Sequence, residues 1–167
     1  MKNMKYFEKF DKFCSSMRSG GCFLVVQDKK GKPNAMTIGW SMIGPVWSQP
    51  MLAVLVRPSR YTYKLIEKTG HFSVNVPINK LKKELALCGT KSGRDTDKIT
   101  TCNLKVGRGK VKGISILKDC DLAYECEIVH KTKVLKQTLA EDLRKRYYPK
   151  GNFHIIYFGR ILHAYKP

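Results

Sequence analysis

The spacing of apolar residues along the chain predicts a series of short strands and a few helices. Phe7, Phe10, Phe13 and Met17 recur at helical spacing, so an amphipathic helix is expected over residues 6–17. Compact or alternating apolar runs predict strands at 22–27, 34–48, 51–56, 71–76, 122–135 and 153–164. Helical spacing and capping residues predict helices at 60–68, 79–88 and 136–148, with one further turn that begins at Asp97.

The number and length of these elements indicate the fold class. Six or seven strands with a few helices favour a small, closed or nearly closed barrel that is mainly antiparallel. The long segment 34–48 is expected to be one strand, bent where Gly44-Pro45 interrupts it. With 167 residues, 43% of them hydrophobic, and no visible repeat or linker, the chain is expected to form a single domain over residues 1–167.

The chain is strongly basic, with a formal net charge of +19. A basic surface attracts nucleic acids, anionic membranes and phosphorylated small molecules. The lysines are spread along the sequence and accompany neither a zinc finger nor an RNP-like aromatic motif, which favours a solvated surface over nucleic-acid binding. A non-catalytic protein that binds anionic ligands or nucleic acid remains an alternative.

The six cysteines form no CxxC pair and, with the histidines, no metal-ligand spacing. They are therefore expected to be buried thiols, and no metal site is predicted. No run approaches the roughly 18 apolar residues of a membrane span. The N-terminal residues lack the apolar stretch of a secretory signal. These features predict a soluble, cytoplasmic protein that does not enter a membrane.

A candidate phosphate site lies at the predicted end of a strand and start of a helix, in the sequence RPSRYT at 57–62. Arg57 and Arg60 supply guanidinium groups, Ser59 and Thr62 supply hydroxyls, and the helix N-terminus supplies amides. These are the donors that a terminal monophosphate requires. The alternative is that Ser59 or Thr62 only caps the helix and that the arginines are solvated.

A candidate site for a flat ring lies on the predicted strand that contains Met36, Thr37, Ile38, Gly39 and Trp40. Small residues leave backbone amides and carbonyls accessible to the polar edge of a ring such as a flavin. Trp40 could stack near the ring or line the substrate side, and the alternative is a core tryptophan in a barrel wall.

The polar loop CGTKSGRD at 88–95 is the third candidate. Lys91, with Ser92 beside it, could reach a phosphate or stabilise negative charge at the N1–O2 edge of a flavin. A glycine-rich loop alone can also simply turn the chain.

The ordered motifs NAMTIGW, RPSRYTYKLI, HFSVNVP and CGTKSGRDTDK resemble the flavoredoxin and flavin reductase-like family. The resemblance covers about Phe23 to Ile99, and the segment from His154 to Ile161 resembles the closing strand of the family. It implies an FMN-binding split barrel, that is, a six-stranded antiparallel Greek-key barrel with flanking helices. It also implies a homodimer with FMN near the subunit interface.

The resemblance also assigns roles by position. The backbone at Met36–Gly39 would contact the isoalloxazine ring, with Trp40 beside it. Lys91 would stabilise reduced flavin, and His154 is a candidate for contact with the ring or substrate, although a structural histidine is the alternative. The residues that match the phosphate-binding turn are Arg57, Ser59, Arg60 and Thr62.

The charged segment 136–148 departs from the shorter members of the family. Leu139, Leu143 and Tyr147 mark one face of its predicted helix, and His130 precedes it. A helix folded over the FMN face would alter access to the flavin.

The implied function is that of an FMN-dependent oxidoreductase that transfers electrons or hydride without a catalytic triad. In one reading FMN stays bound, and the protein is an oxidoreductase or an electron carrier served by a redox partner protein. In the alternative reading the protein is a reductase of diffusible flavin. The electron donor implied for a reductase is NADH or NADPH.

Overall fold

A computed structural model describes residues 4–167 of the chain. The helical elements are the 3₁₀ turn Met4–Phe7 and α1 (Phe10–Ser19), α2 (Tyr61–Thr69), α3 (Lys82–Thr90), α4 (Lys98–Thr101) and α5 (Glu141–Tyr147). The strands are β1 (Cys22–Gln27), β2 (Pro33–Ile38), β3 (Ser41–Val46), β4 (Gln49–Val56), β5 (His71–Val76), β6 (Val106–Arg108), β7 (Ser115–Leu117), β8 (Leu122–Lys133) and β9 (Ile155–Tyr165). The predicted mainly β fold with flanking helices is confirmed.

Seven strands form one antiparallel sheet in the order β2-β1-β5-β8-β9-β4-β3, and β6 pairs with β7 in a separate sheet. Strands β2 and β3 are separated only by Gly39 and Trp40, yet they lie at opposite ends of this order. Because two residues span only about 7 Å when extended, the two ends of the sheet must meet here. The sheet therefore curls into a barrel that is split between β2 and β3.

The sheet has seven strands rather than six because the segment predicted as one bent strand is two strands. The division falls at Gly39-Trp40, where the chain leaves the edge formed by β2 for the edge formed by β3. The expected interruption at Gly44-Pro45 does not occur, since both residues stay paired with β4. Proline is tolerated there because β3 is an edge strand.

Apolar side chains pack on both faces of β1, which explains its unbroken apolar run. Leu24 and Val26 point into the barrel core, and Phe23 and Val25 pack in a second cluster with Leu85. Successive side chains of a strand point to opposite faces, so one strand can serve both clusters. The second cluster fixes α3 against the outside of the barrel, beside β2.

Three predicted helices begin later than expected. The helix predicted over residues 6–17 is divided into the 3₁₀ turn Met4–Phe7 and α1, which begins at Phe10. The helix predicted from Asn79 begins at Lys82, after Asn79 and Leu81 adopt positive φ angles of 56° each. The helix predicted over 136–148 is confined to α5, because a turn closed by the Thr138 amide and the Leu135 carbonyl precedes it. Its apolar face is not buried, and Leu143 is 42% exposed.

Candidate functional site

A cleft of about 250 Å³ lies at the split in the barrel, where the chain passes from β2 towards β3. The residues that line it are Met36, Thr37, Ile38, Gly39, Trp40, Leu55, Arg57, Arg60, Gly89 and His154. The topology brings together four regions that are distant in sequence: the end of β2, the end of β4 with the turn before α2, the end of α3, and the residue before β9. Eight of these residues were predicted as site residues, whereas Leu55 and Gly89 were not.

The β2 wall of the cleft is held by α3 and presents open backbone. The Thr37 hydroxyl donates a hydrogen bond to the Leu85 carbonyl at 2.6 Å. Gly89 lies directly over Thr37, since a Cβ built on it would be 3.4 Å from the Thr37 Cβ. A Cβ at Gly39 would meet no atom within 4 Å, so a flat ligand has room beside this backbone. Gly89 lies in the loop CGTKSGRD at 88–95, which the sequence marked as a candidate, although only Lys91 and Ser92 of that loop were predicted as site residues.

The Arg60 side chain and the N-terminus of α2 form one end of the cleft. Arg60 is the N-cap residue, and no side chain caps the helix. The alternative in which Ser59 or Thr62 caps α2 is therefore wrong. Arg60 donates to the Cys88 carbonyl at 3.3 Å, and burial lowers the pKa of its guanidinium. A half-buried guanidinium beside helix-terminal amides that no side chain caps is suited to an anion.

Arg57 lines the cleft, but two of its donors already serve the protein. They bond to the carbonyls of Tyr147 at 2.8 Å and Asn152 at 3.0 Å. The guanidinium carbon also lies 4.8 Å from the centre of the Tyr148 ring, within cation–π range. Arg57 therefore holds the end of α5 and the segment after it against the cleft.

His154 and Trp40 meet at the opposite wall. His154 is 8% exposed, and its ring centre lies 5.2 Å from that of Trp40. The Tyr148 hydroxyl lies 2.6 Å from His154 Nδ1. Burial, with a smaller contribution from the Arg57 charge, lowers the pKa of His154 to about 4, so the imidazole is neutral at pH 7. Tyr148 was not predicted as a site residue, because its position at the end of the charged segment 136–148 does not indicate contact with the cleft.

Trp40 stands at the rim rather than in the core. It is 40% exposed and makes an edge-to-face contact with Tyr147, with ring centres 4.9 Å apart. The core alternative for Trp40 is therefore wrong. Tyr147 is the last residue of α5, so the charged segment reaches the rim of the cleft. This is the placement in which the segment would alter access to a bound flavin.

Four predicted site residues do not line the cleft. Ser59 is exposed and accepts a hydrogen bond from the Asn152 side chain at 2.7 Å. Thr62 is buried and accepts one from the Asn34 side chain at 2.8 Å. Both hydroxyls therefore act within the protein structure, next to the turn.

The other two lie on the loop after α3. Lys91 is exposed and is the C-cap residue of α3. The Ser92 hydroxyl accepts a hydrogen bond from the Arg94 amide at 3.2 Å, inside its own loop. A different lysine is buried near the cleft: Lys98 donates to the Cys88 carbonyl at 3.4 Å, and burial lowers its pKa to about 8.

The second candidate histidine, His130, lies on an exposed aromatic cluster and not in the cleft. Its ring centre is 6.0 Å from Trp47 and 5.5 Å from Phe158. Of the two histidines, the structure brings only His154 to the predicted site.

Residues 4–167 contain no group of three or more His, Cys, Asp or Glu side chains arranged to hold a metal ion. Within the same residues, every helix is too short or too polar to cross a bilayer.

Comparison with known proteins identifies the family. The sequence model of the family described as flavin reductase like domain matches residues 15–167 of this chain. An uncharacterized protein of Archaeoglobus fulgidus is 33% identical over 117 residues, which are 70% of this chain and 65% of that protein. The chain thus matches just under two thirds of that relative's length.

Two solved structures have the same fold. Flavoredoxin from Methanosarcina acetivorans is 29% identical with a TM-score of 0.70, over 87% of this chain and 67% of that one. An FMN-binding protein from Thermus thermophilus, solved with p-hydroxybenzaldehyde bound, is 22% identical with a TM-score of 0.67, over 87% of this chain and 70% of that one. With the family match over nearly its whole length, the chain belongs to the flavin reductase like domain family.

Proposed function

We propose that this protein is an oxidoreductase that binds FMN in the cleft at the split in the barrel. The observation that carries the proposal is the arrangement of open backbone at Thr37–Gly39 with Arg60 and the uncapped α2 N-terminus at one end. The open backbone accommodates a flat ring, and Arg60 together with the α2 N-terminus accommodates a phosphate. The likeness to flavoredoxin and to an FMN-binding protein supports the same ligand.

The residues present fit the cofactor in charge as well as shape. Arg60 and the first amides of α2 would hold the phosphate, while the β2 backbone would hold the polar edge of the ring. Lys91 remains a proposed contributor if its exposed side chain reaches the ring. When bound, FMN supplies one- and two-electron redox chemistry. Trp40 and Tyr147 would shield one side of the ring from water.

The second candidate is a reductase that uses NADH or NADPH to reduce flavin and then releases it. The family description favours such an activity. The resemblance of the RPSRYT and CGTKSGRD sequences to flavoredoxin favours FMN that stays bound, and we prefer that alternative. In that case the electrons come from a nicotinamide nucleotide or from a redox protein.

We also propose that two copies of the chain associate and that they work in the cytoplasm. Exposed apolar residues concentrate on β3 and the turn after it, where Met42 is 56% and Trp47 62% exposed. All six cysteines are free thiols, as in a reducing compartment. The molar mass in solution, measured by light scattering with and without FMN, tests the association.

The absorption spectrum of the purified protein is expected to show flavin bands, directly or after FMN is added. Anaerobic NADH and NADPH then distinguish the candidates. Bleaching within seconds indicates a nicotinamide-dependent reductase, and the fraction of flavin that passes an ultrafiltration membrane shows whether it is released. Persistent colour indicates an electron carrier. A colourless protein that does not take up FMN contradicts the proposal and favours an anion-binding protein, whose affinity falls steeply with salt.

Replacing Arg60 with alanine is expected to weaken FMN binding by at least about 1.5 kcal/mol, or roughly tenfold, because a charged donor to the phosphate is lost. Flavin fluorescence quenching measures the dissociation constant. Arg18→Ala is the matched control, since it removes the same charge from an exposed position on α1. Equal affinity in the two variants would remove Arg60 from the site.

A further inference from the structure

We propose that Tyr148 and His154 form a proton relay that serves a conjugated carbonyl compound reduced in the cleft. This inference rests on the proposed function, since the electrons come from bound flavin. It assigns to the site a substrate class, quinones or enones, whose oxygen takes up a proton during reduction. It also assigns a role to the segment around α5.

The first support is the placement of the pair. Both side chains are buried, and the Tyr148 hydroxyl lies 2.6 Å from His154 Nδ1. The His154 ring lines the cleft, whereas Tyr148 stands behind it. Within the described residues, Nδ1 is the ring nitrogen that has a hydrogen-bond partner. Nε2 does not belong to the side-chain atoms that are both fully buried and without a partner. Nε2 is therefore the nitrogen that a ligand in the cleft can reach.

The second support is the protonation state. A phenol hydroxyl that donates to Nδ1 leaves the proton of a neutral imidazole on Nε2. The Arg57 guanidinium, 4.8 Å from the Tyr148 ring centre, opposes a second positive charge on the imidazole. When Tyr148 donates this hydrogen bond, His154 presents a neutral N–H donor that is held in one tautomer and at one orientation.

The third support is the chemistry that this arrangement permits. When bound, reduced flavin would supply a hydride, that is, two electrons, to the carbonyl compound, and negative charge would develop on the carbonyl oxygen. That oxygen takes the Nε2 proton of His154, while Nδ1 takes the hydroxyl proton of Tyr148. The tyrosinate then faces Arg57 until water returns a proton. His154 is the group that touches the substrate, and Tyr148 acts through it.

The relay predicts a difference between acceptors. Ferricyanide takes one electron and needs no proton from the protein, whereas 1,4-naphthoquinone needs protons. In Tyr148→Phe the ring stays available to stack on Phe153 but the hydroxyl is lost. With FMN-loaded, chemically reduced protein in a stopped-flow instrument, reoxidation by naphthoquinone should slow about tenfold or more. Reoxidation by ferricyanide and the affinity for FMN should not change.

The matched control is Tyr63→Phe, which removes a hydroxyl from α2 at a position that does not line the cleft. It should behave as the unmodified protein with both acceptors. A second readout needs no flavin: ¹⁵N spectra of the FMN-free protein, with His154 assigned from His154→Gln, should show the Nε2–H tautomer. In Tyr148→Phe the two tautomers should mix.

The outcomes separate the two proposals. Equal slowing with both acceptors, an unchanged naphthoquinone rate, or a His154 ring protonated on Nδ1 would overturn the relay and leave the flavin site standing. A reduced protein that ferricyanide oxidises but naphthoquinone does not would overturn it as well. Failure of the unmodified protein to bind FMN would overturn the proposed function and the relay together.

Discussion

Replacing Glu125 with leucine is expected to destabilise the protein by about 3 kcal/mol. Glu125 lies on β8 and is fully buried. Its carboxylate accepts hydrogen bonds from the Lys110 and Val111 amides, both at 2.8 Å, and from the Tyr165 hydroxyl. Leucine fills the space but leaves these donors without an acceptor, and each bond to a charged acceptor contributes about 1.5–3 kcal/mol. Relief of carboxylate burial offsets part of that sum.

Urea unfolding followed by circular dichroism measures this effect through the transition midpoint. Glu125→Gln should cost about half as much, because its single carbonyl oxygen still accepts one amide. Glu141→Leu, at an exposed position on α5, is the control and should change stability by less than about 0.5 kcal/mol. A Glu125→Leu variant as stable as this control would show that the carboxylate does not anchor the β6–β7 hairpin.

Strand boundaries were predictable where the sequence marks both ends. The predicted strands 22–27 and 71–76 have the bounds of β1 and β5, since glycines precede them and a polar loop or Pro77 follows. The helix α2 ends at Thr69, one residue beyond its predicted end, because Gly70 adopts a left-handed φ of 68°. Local residue chemistry determines such positions.

The division at Gly39-Trp40 was not predictable from local pattern. Residues 34–48 were predicted as one strand, and the chain is divided only because the two halves of this segment pair with different strands, β1 and β4. Partner choice is a property of the whole sheet. The same limit applies to α5, because the apolar spacing that marks one of its faces does not specify whether that face is buried, and Leu143 is exposed.

The candidate site was predictable where its residues lie in ordered motifs. Residues 36–40, Arg57 and Arg60 line the cleft as one group. The role of Arg57 in holding the carbonyls of Tyr147 and Asn152 was hidden, because those partners are 90 or more residues away in sequence. Lys91 was selected for its charge and for its position in the loop after α3, and neither of these specifies where a flexible side chain points.

The stability of the protein is expected to fall as the pH drops from 7.5 to 5, and His154 should account for about 2 kcal/mol of the loss. Its pKa is lowered from 6.5 to about 4 by burial and by the Arg57 charge. Above pH 6.5 neither state binds the proton. Below it the unfolded chain is protonated while the folded imidazole stays neutral, so unfolding is favoured until the pH reaches about 4.

The variant His154→Gln isolates this contribution, because glutamine does not titrate. The free energy of unfolding in urea is measured for both proteins at pH 7.5 and at pH 5, and the loss between the two pH values is compared. Contributions of the carboxylates and the other histidines are the same in both proteins and cancel in this comparison. The variant should lose about 2 kcal/mol less than the unmodified protein over this range. Parallel losses would mean that the folded imidazole accepts a proton as readily as a solvated one. A neutral His154 at pH 5 would instead show that burial and the Arg57 charge keep a proton donor, not a cation, at the wall of the cleft.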